Sequence, residues 1–228
     1  AYARAARARA LDLGAETLSI TATGVGWPEA IEIAERERSE TYTRSYTAAL
    51  AVLALIAGEL GAEGLGPPAV AAAAGAAEAA LAEPGIAGLP EPERLLVLAA
   101  TGPAAVTARE GALKLREAAR LAAEGYDAEY LLHGSAVPLD GRDALVLLQP
   151  GRGEDGLLSG IGEAARAEGI AVAELDQPEP GDELLAQIPL TVRLQLLALR
   201  RAEAGGHDPD TVIAGAWTAE KLWNAGSP

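Results

Sequence analysis

Three residues with the chemistry of proton transfer lie near the middle of the chain: Lys114, Glu117 and, sixteen residues later, His133. Lysine and histidine are rare here, since the 228 residues include two of each against sixteen arginines. Arginine keeps its charge and suits fixed binding, whereas the pKa of a lysine can shift and a histidine titrates near neutrality. An ammonium, a carboxylate and an imidazole therefore predict proton shuttling on a small polar substrate, with Lys114, Glu117 and His133 as the catalytic candidates.

On a helix, Glu110, Lys114 and Glu117 fall on one stripe, because they are separated by steps of four and three residues. Charged stripes usually face water, and the Glu110–Lys114 pair would then contribute only about 0.2–0.5 kcal/mol. A helix that covers a sheet can instead place one end of the stripe in a cleft. His133 allows a similar choice, since a histidine beside a glycine is commonly a surface residue. The residues alone leave both alternatives open.

Hydroxyl side chains precede a long apolar helical pattern, at Thr41, Thr43, Ser45 and Thr47. Hydroxyls near a helix amino terminus can bind phosphate, which makes Thr43 and Ser45 candidate substrate-binding residues. The same residue types also cap the free N–H groups of a helix, and this alternative remains open. Gly102 is a further candidate, because it lies in the loop after a predicted strand, where ligands of parallel sheets bind.

Composition excludes several classes of partner. Acidic residues outnumber basic ones 33 to 18, and the formal net charge is −15. A nucleic-acid-binding protein needs basic patches, and an anionic membrane surface attracts them, so neither partner is expected. No apolar run reaches the roughly 18 residues of a membrane span. With no visible signal peptide, we expect a cytoplasmic protein.

The chain has no cysteine, which excludes disulfides and thiolate metal sites. The acidic stretch from Glu174 to Glu183 lacks a fixed ligand spacing and predicts a solvated loop, so we expect neither a metal nor an organic cofactor. There is no methionine, even at position 1, and we expect a processed or truncated amino terminus.

Regular alternation of strands and helices after residue 93 predicts a parallel α/β sheet. Strands are predicted at 94–99, 144–148 and 170–174, and helices at 104–125, 154–168 and 184–204. Short strands near 16–21 and 30–34 and helices at 39–60 and 67–81 predict an earlier unit. The proline- and glycine-rich segment 84–93 is the predicted linker between residues 1–83 and 94–212, with 213–228 as a tail.

The segment from Glu110 to Glu117, together with Ala123–Tyr126 and Leu132–Gly134, resembles the second SIS (sugar isomerase) domain of phosphosugar isomerases. Among these, it is most similar to the isomerase half of glutamine–fructose-6-phosphate aminotransferases. The resemblance implies an α/β fold with two SIS-type, flavodoxin-like lobes, in which helices flank parallel sheets and the first lobe is incomplete.

Flanking segments support the resemblance by their order. Thr43–Thr47, preceded by Glu37, is similar to the end of the first SIS domain. Gln195–Ala198 and Asp208–Asp210 are similar to the closing helix and the turn after it. The resemblance spans about residues 11–212.

For this family, the resemblance implies proton transfer between C1 and C2 of an open-chain sugar phosphate. Glu117 matches the general base, and Lys114 matches a lysine that supports it and the substrate hydroxyls. His133 matches a histidine that assists ring opening from across a dimer interface. A homodimer with a composite active site is therefore expected.

The sequence also departs from the family in three ways. The family's phosphate-binding loop, Ser-x-Ser-Gly-x-Thr, would precede Ala1. Trp217 occupies the position of a carboxyl-terminal lysine. No glutaminase domain is present, so synthesis of glucosamine 6-phosphate from glutamine is not expected. We therefore predict a sugar-phosphate isomerase or a related deaminase or deglycase, and keep a non-catalytic sensing or dimerisation module as the alternative.

Overall fold

The computed structural model describes residues 2–150, 156–177 and 180–224. The helices are α1 (Tyr2–Asp12), α2 (Thr43–Glu59), α3 (Pro67–Ala82), α4 (Ala104–Ala119), α5 (Ala128–Tyr130), α6 (Gly156–Ala167), α7 (Glu183–Ala204) and α8 (Glu220–Asn224). The strands are β1 (Ser19–Ala22), β2 (Ala30–Ala34), β3 (Leu96–Ala100), β4 (Ala123–Asp127), β5 (Ala144–Pro150) and β6 (Ala171–Gln177). None of the helices in these ranges is long and apolar enough to cross a bilayer.

Two parallel sheets form the framework and confirm the predicted α/β class. Strands β1 and β2 pair in parallel, and the larger sheet has the order β4-β3-β5-β6 with every neighbouring pair parallel. In the larger sheet, helices form the crossovers between parallel neighbours: α4 joins β3 to β4, and α6 joins β5 to β6. Helices therefore flank the larger sheet, as the sequence predicted.

The core lies on both faces of the larger sheet, because the residues of β3 alternate between them. Leu96, Leu98 and Ala100 pack in the cluster that contains α4 and α7, whereas Val97 and Ala99 pack in the cluster with α6. All five β3 residues are buried, as expected for a central parallel strand.

Two segments differ from the prediction. Residues 174–177, predicted as part of a solvated loop, continue strand β6, and Glu183 at the other end of that segment begins α7. The helix predicted over 104–125 ends at Ala119, and Ala123–Asp127 form an edge strand, β4. Arg120 adopts a left-handed conformation (φ 54°) and closes the helix, although nothing in its side chain favours that conformation. Glu124 lies seven residues after Glu117, so it continued the helical spacing of the charged stripe and concealed the strand. Of the helix predicted over 154–168, residues 154 and 155 lie outside the described ranges.

Helix α7 joins the two predicted lobes. It contacts α2 and α3 on one side and α4 on the other. The segment 84–93, predicted as a linker, contains no helix or strand and lies along α7, where Ile86 and Leu89 are buried. Arg193 and Arg201 of α7 donate hydrogen bonds to the carbonyl oxygens of Pro84 (2.6 Å) and Leu89 (3.0 Å). These contacts hold α2, α3 and α4 around one common helix.

Gly125 allows β4 to approach α4 closely, since a Cβ there would lie 2.4 Å from the backbone of Ala108 and Arg109. Gly125→Ala should therefore lower the free energy of unfolding by about 2 kcal/mol or more, because backbone atoms must move. Gly75→Ala is the matched control, since it lies in α3 with open space around it and should stabilise by about 0.5–1 kcal/mol. Equal effects in urea denaturation would contradict this packing.

Candidate functional site

Lys114 is buried, with 5% of its surface exposed, and its ammonium is surrounded by oxygen atoms. Nζ donates hydrogen bonds to the main-chain carbonyl of Thr41 (2.5 Å) and to Oε2 of Glu117 (2.6 Å). Oε1 of Glu110 lies 3.5 Å from the same nitrogen. The part of the stripe formed by Glu110 and Lys114 is therefore largely buried. For these two residues, the alternative that the stripe faces water is wrong.

The two carboxylates of the cluster differ in their surroundings. The Glu117 side chain is 21% exposed and hydrogen-bonds the ammonium directly. The Glu110 side chain is 11% exposed, and its Oε1 is buried with no hydrogen-bond partner among the described residues. Burial raises the pKa of Glu110, Lys114 partly opposes that rise, and the charge of Glu117 adds to it. The Lys114 ammonium therefore interacts with two carboxylates, and it lies closer to Glu117 than to Glu110.

The cluster lies against the loop that connects β2 to α2. That loop, residues 35–42, brings Thr41 to Lys114, and Thr41 is itself buried. The hydroxyls of Ser39 and Thr41 are 2.6 Å apart, and Tyr42 adopts a left-handed conformation (φ 50°) just before α2. In parallel sheets, ligands bind where such loops leave the carboxyl ends of strands. The cluster thus lies against the loop that follows the carboxyl end of β2.

Thr43 and Ser45 lie at the start of α2, as predicted, and both hydroxyls contact Glu37. The Glu37 carboxylate accepts hydrogen bonds from the main-chain N–H groups of Arg44 (2.9 Å) and Ser45 (2.7 Å), from the Ser45 hydroxyl, and from the Thr43 hydroxyl at 3.4 Å. Burial acts to raise the pKa of Glu37, but these hydrogen bonds outweigh it and the pKa is lowered. A carboxylate of the chain itself therefore occupies the position where an anion would bind.

Gly102 lies at the other end of α4 from the cluster. The helix runs back along the sheet, so about 20 Å of helix separates Gly102 from Glu117. Gly102 has φ 56°, and a Cβ there would lie 2.8 Å from Oε1 of Glu183. The loop after β3 therefore does not place Gly102 beside Lys114, and the close approach to α7 accounts for a glycine at this position.

His133 follows β4 on a kinked turn (Leu131–Ser135), beyond the carboxyl end of that strand. Its side chain is 73% exposed, and Nε2 lies 3.8 Å from Oε1 of Glu129. Since α4 ends and β4 begins at the amino ends of the strands, whereas His133 lies beyond the carboxyl end of β4, a single chain does not bring His133 to Glu117.

A cavity of about 410 Å³ adjoins the cluster. Its polar lining includes Ser39, Thr41, Thr43, Arg44, Lys114 and Asp210. The turn at Asp208–Asp210 reaches it because the Glu40 N–H donates to the Asp210 carbonyl (3.2 Å). Gln195 of α7 donates to the carbonyl of Thr43 (3.1 Å). Segments distant in sequence that showed the family resemblance therefore meet at one cavity.

Sequence reasoning missed several features of this site. The Thr41 carbonyl carries no side-chain signal, so its contact with Lys114 could not be foreseen. The spacing of Glu110 showed that it shares a helix face with Lys114. The spacing does not show whether that face is covered, so the burial of Glu110 was not predicted. Among the described residues, no group of three or more histidine or acidic side chains could hold a metal.

Glu37→Gln should lower the free energy of unfolding by about 1 kcal/mol at neutral pH, because the helix loses a charged cap. The pKa of Glu37 is lowered in the folded state, so its contribution is present above the usual value of 4.5 and is lost as the pH falls below it. The difference between wild type and variant should therefore disappear in acid. Glu35→Gln, an exposed neighbour, is the control. A pH-independent difference would show that the charge of Glu37 is not involved.

Part of the chain is similar in sequence to known proteins. No family model matches the chain. The glutamine–fructose-6-phosphate aminotransferase (isomerizing) of Thermococcus kodakarensis is 38% identical over 118 residues, which cover 46% of this chain and 19% of that protein. The corresponding enzyme of Gloeobacter violaceus is 37% identical over 118 residues, with 45% and 19% coverage. The chain thus matches about a fifth of the length of these relatives.

Solved structures share the fold at lower identity. Glucosamine-6-phosphate deaminase from Thermotoga maritima has a TM-score of 0.63 at 18% identity and covers 79% of this chain and 58% of that one. Tagatose-6-phosphate ketose/aldose isomerase from Escherichia coli has a TM-score of 0.66 at 18% identity, with 83% and 59% coverage. The chain has the SIS fold of the phosphosugar isomerases and resembles in sequence the isomerase half of glutamine–fructose-6-phosphate aminotransferase.

Proposed function

We propose that the chain binds a phosphorylated sugar or amino sugar and catalyses proton transfer between C1 and C2, as in aldose–ketose isomerisation or a related deamination. The observation that carries the proposal is the Lys114–Glu117 pair, joined at 2.6 Å, whose lysine lines a cavity of about 410 Å³. Two proteins of similar fold are named as glucosamine-6-phosphate deaminase and tagatose-6-phosphate ketose/aldose isomerase. Both names contain a sugar phosphate, which supports this substrate class for the chain.

Glu117 is the proposed general base. Its carboxylate removes the proton from the carbon next to the substrate carbonyl, the electrons of that C–H bond form a C=C bond, and the electrons of the C=O double bond move to its oxygen. That oxygen then takes the proton of the neighbouring hydroxyl, whose oxygen becomes the new carbonyl as the carboxyl returns its proton to the former carbonyl carbon. This converts aldose to ketose or the reverse. Lys114 orients the carboxylate and stabilises its charge, and partial exclusion of water strengthens this ion pair.

His133 is the proposed ring-opening residue, supplied by a second copy of the chain. In support, the imidazole is largely exposed. It lies beyond the carboxyl end of β4, whereas Glu117 lies near the amino end of that strand. A composite site in a homodimer would bring the two together. Such an interface is isologous, so both sites of the dimer would form together.

For the substrate-binding residues, Thr43 is the stronger of the two hydroxyl candidates. Thr43 lines the cavity, and its hydroxyl is only 3.4 Å from Glu37, whereas the hydroxyl of Ser45 is closely bound to that carboxylate. Gly102 is distant from the cavity beside Lys114. It could contact a substrate only if that substrate were bound at the carboxyl ends of the strands. We therefore assign sugar contact to Thr43 first.

A second candidate function is a non-catalytic sugar-phosphate sensor or a dimerisation module. Glu37 already fills the amino terminus of α2, which disfavours phosphate at that position. Trp217, at the position of the family's lysine, is 73% exposed. Both observations favour binding or assembly without turnover.

Glu117→Gln should reduce isomerase activity by about 10²- to 10⁴-fold, because the amide cannot accept the proton. The melting temperature should stay close to that of wild type, and fructose 6-phosphate or glucosamine 6-phosphate should still raise it by mass action, with free phosphate as the comparison. Glu163→Gln, an exposed carboxylate on α6, is the matched control. Full activity in Glu117→Gln would remove this residue from the mechanism, and binding without turnover in the wild type would favour the sensor.

Mixing Glu117→Gln with His133→Ala tests the composite site. Each variant alone should be nearly inactive, whereas subunit exchange in an equal mixture should restore about a quarter of wild-type activity, since half of the dimers carry one intact site. Activity after mixing is measured against each variant alone. Mixed dimers that remain inactive, with subunit exchange verified by mass spectrometry, would contradict the assignment of His133 to the partner's site.

A further inference from the structure

Glu110 is a largely buried acid that the proposed proton transfer does not use. Its side chain is 11% exposed, and Oε1 lies 3.5 Å from the Lys114 ammonium, beyond the usual range of a hydrogen bond to a cation. Glu117, three residues beyond Lys114, lies 2.6 Å from the same nitrogen. The single cation is therefore committed to one of its two acidic neighbours.

The ammonium has little capacity for a second carboxylate. A lysine ammonium has three N–H donors, and two of them already bind the Thr41 carbonyl and Glu117. Oε1 of Glu110 forms a longer ion pair with the ammonium than Glu117 does, at 3.5 Å against 2.6 Å, and this buried oxygen has no hydrogen-bond partner among the described residues. An ionised carboxylate in that state is costly, whereas a protonated one carries no charge to stabilise.

Within the part of the chain that the structure describes, the charged groups that act on Glu110 include no cation other than Lys114. Glu117 shares its helix, and Tyr46 reaches it from α2, where burial and then the charge of Glu110 raise the pKa of the tyrosine. Helix α7 meets this part of α4 through Leu190 and Leu194 and, near Thr107, through the neutral side chain of Gln187. Burial likewise raises the pKa of Glu110, in agreement with the geometry.

We propose that Glu110 is a positioning residue that remains protonated in the working protein, so that the Lys114 ammonium stays with Glu117. This inference deepens the proposed function and rests on it for its catalytic consequence. Ionisation of Glu110 would place a second negative charge beside the ammonium and draw it away from Glu117. The base would then lose its orientation, and activity would fall as the pH rises.

Glu110→Gln tests the proposal, because glutamine has the shape of the neutral acid and cannot ionise. Activity at the pH optimum should stay within about tenfold of wild type, which is less than the smallest loss expected for a proton-transfer residue. The pH–rate profile is the decisive readout. The alkaline decline of kcat in the wild type should be absent or displaced to higher pH in Glu110→Gln. Glu163→Gln should keep the wild-type profile.

A second measurement needs no turnover and separates this inference from the proposed function. In ¹³C NMR of carboxyl-labelled glutamate, the resonance missing from Glu110→Gln should titrate above the ordinary glutamate range in the wild type. Titration of that resonance in or below the ordinary range would overturn the inference, as would a folded Glu110→Gln as inactive as Glu117→Gln. A wild type without turnover but with the raised titration would reject the isomerase and retain the neutral Glu110.

Discussion

The contact of the Lys114 ammonium with the Thr41 carbonyl and Glu117 is the interaction on which the candidate site depends. A buried charge is tolerated only when it is paired and hydrogen-bonded, so the fold must bring oxygen atoms to this nitrogen from more than one element. One comes from α4 itself and the other from the loop after β2. The ammonium thereby fixes a loop of the smaller sheet to a helix of the larger one.

That arrangement requires close packing elsewhere. At Gly111, a Cβ would lie 2.5 Å from Leu194, so the glycine allows α4 to approach α7 closely. Gly125 likewise allows β4 to approach α4. Helix α7 also holds α2 and α3, so the start of α2 has a defined position relative to α4. The glycines do not take part in chemistry, yet they determine the depth at which the charged stripe is placed.

The sequence contained enough information for the fold class and for the residues of the central pair. Strand β2 was predicted at its observed bounds, and Lys114 and Glu117 were found together as expected from helical spacing. Strand β4 was missed because its residues continued the polar period of α4, and the left-handed turn at Arg120 has no side-chain signature. The contact to Thr41 was beyond sequence reasoning, since it uses a main-chain oxygen of a residue 73 positions away. Gly102 and His133 are near Lys114 and Glu117 in sequence, but they lie at the carboxyl ends of strands β3 and β4. Helix α4 runs in the opposite direction to these strands, so its last turn lies at their amino ends.

The link between Lys114 and the loop is made to a main-chain atom, and this has an evolutionary consequence. Any residue type at position 41 presents the same carbonyl oxygen, so substitutions in the loop can change the side chains that line the cavity while the carboxylate keeps its support. If the chain acts as proposed, substrate preference and proton transfer depend on separate parts of the sequence. Changes in residues 35–42 would then alter the sugar ligand while the same base is kept.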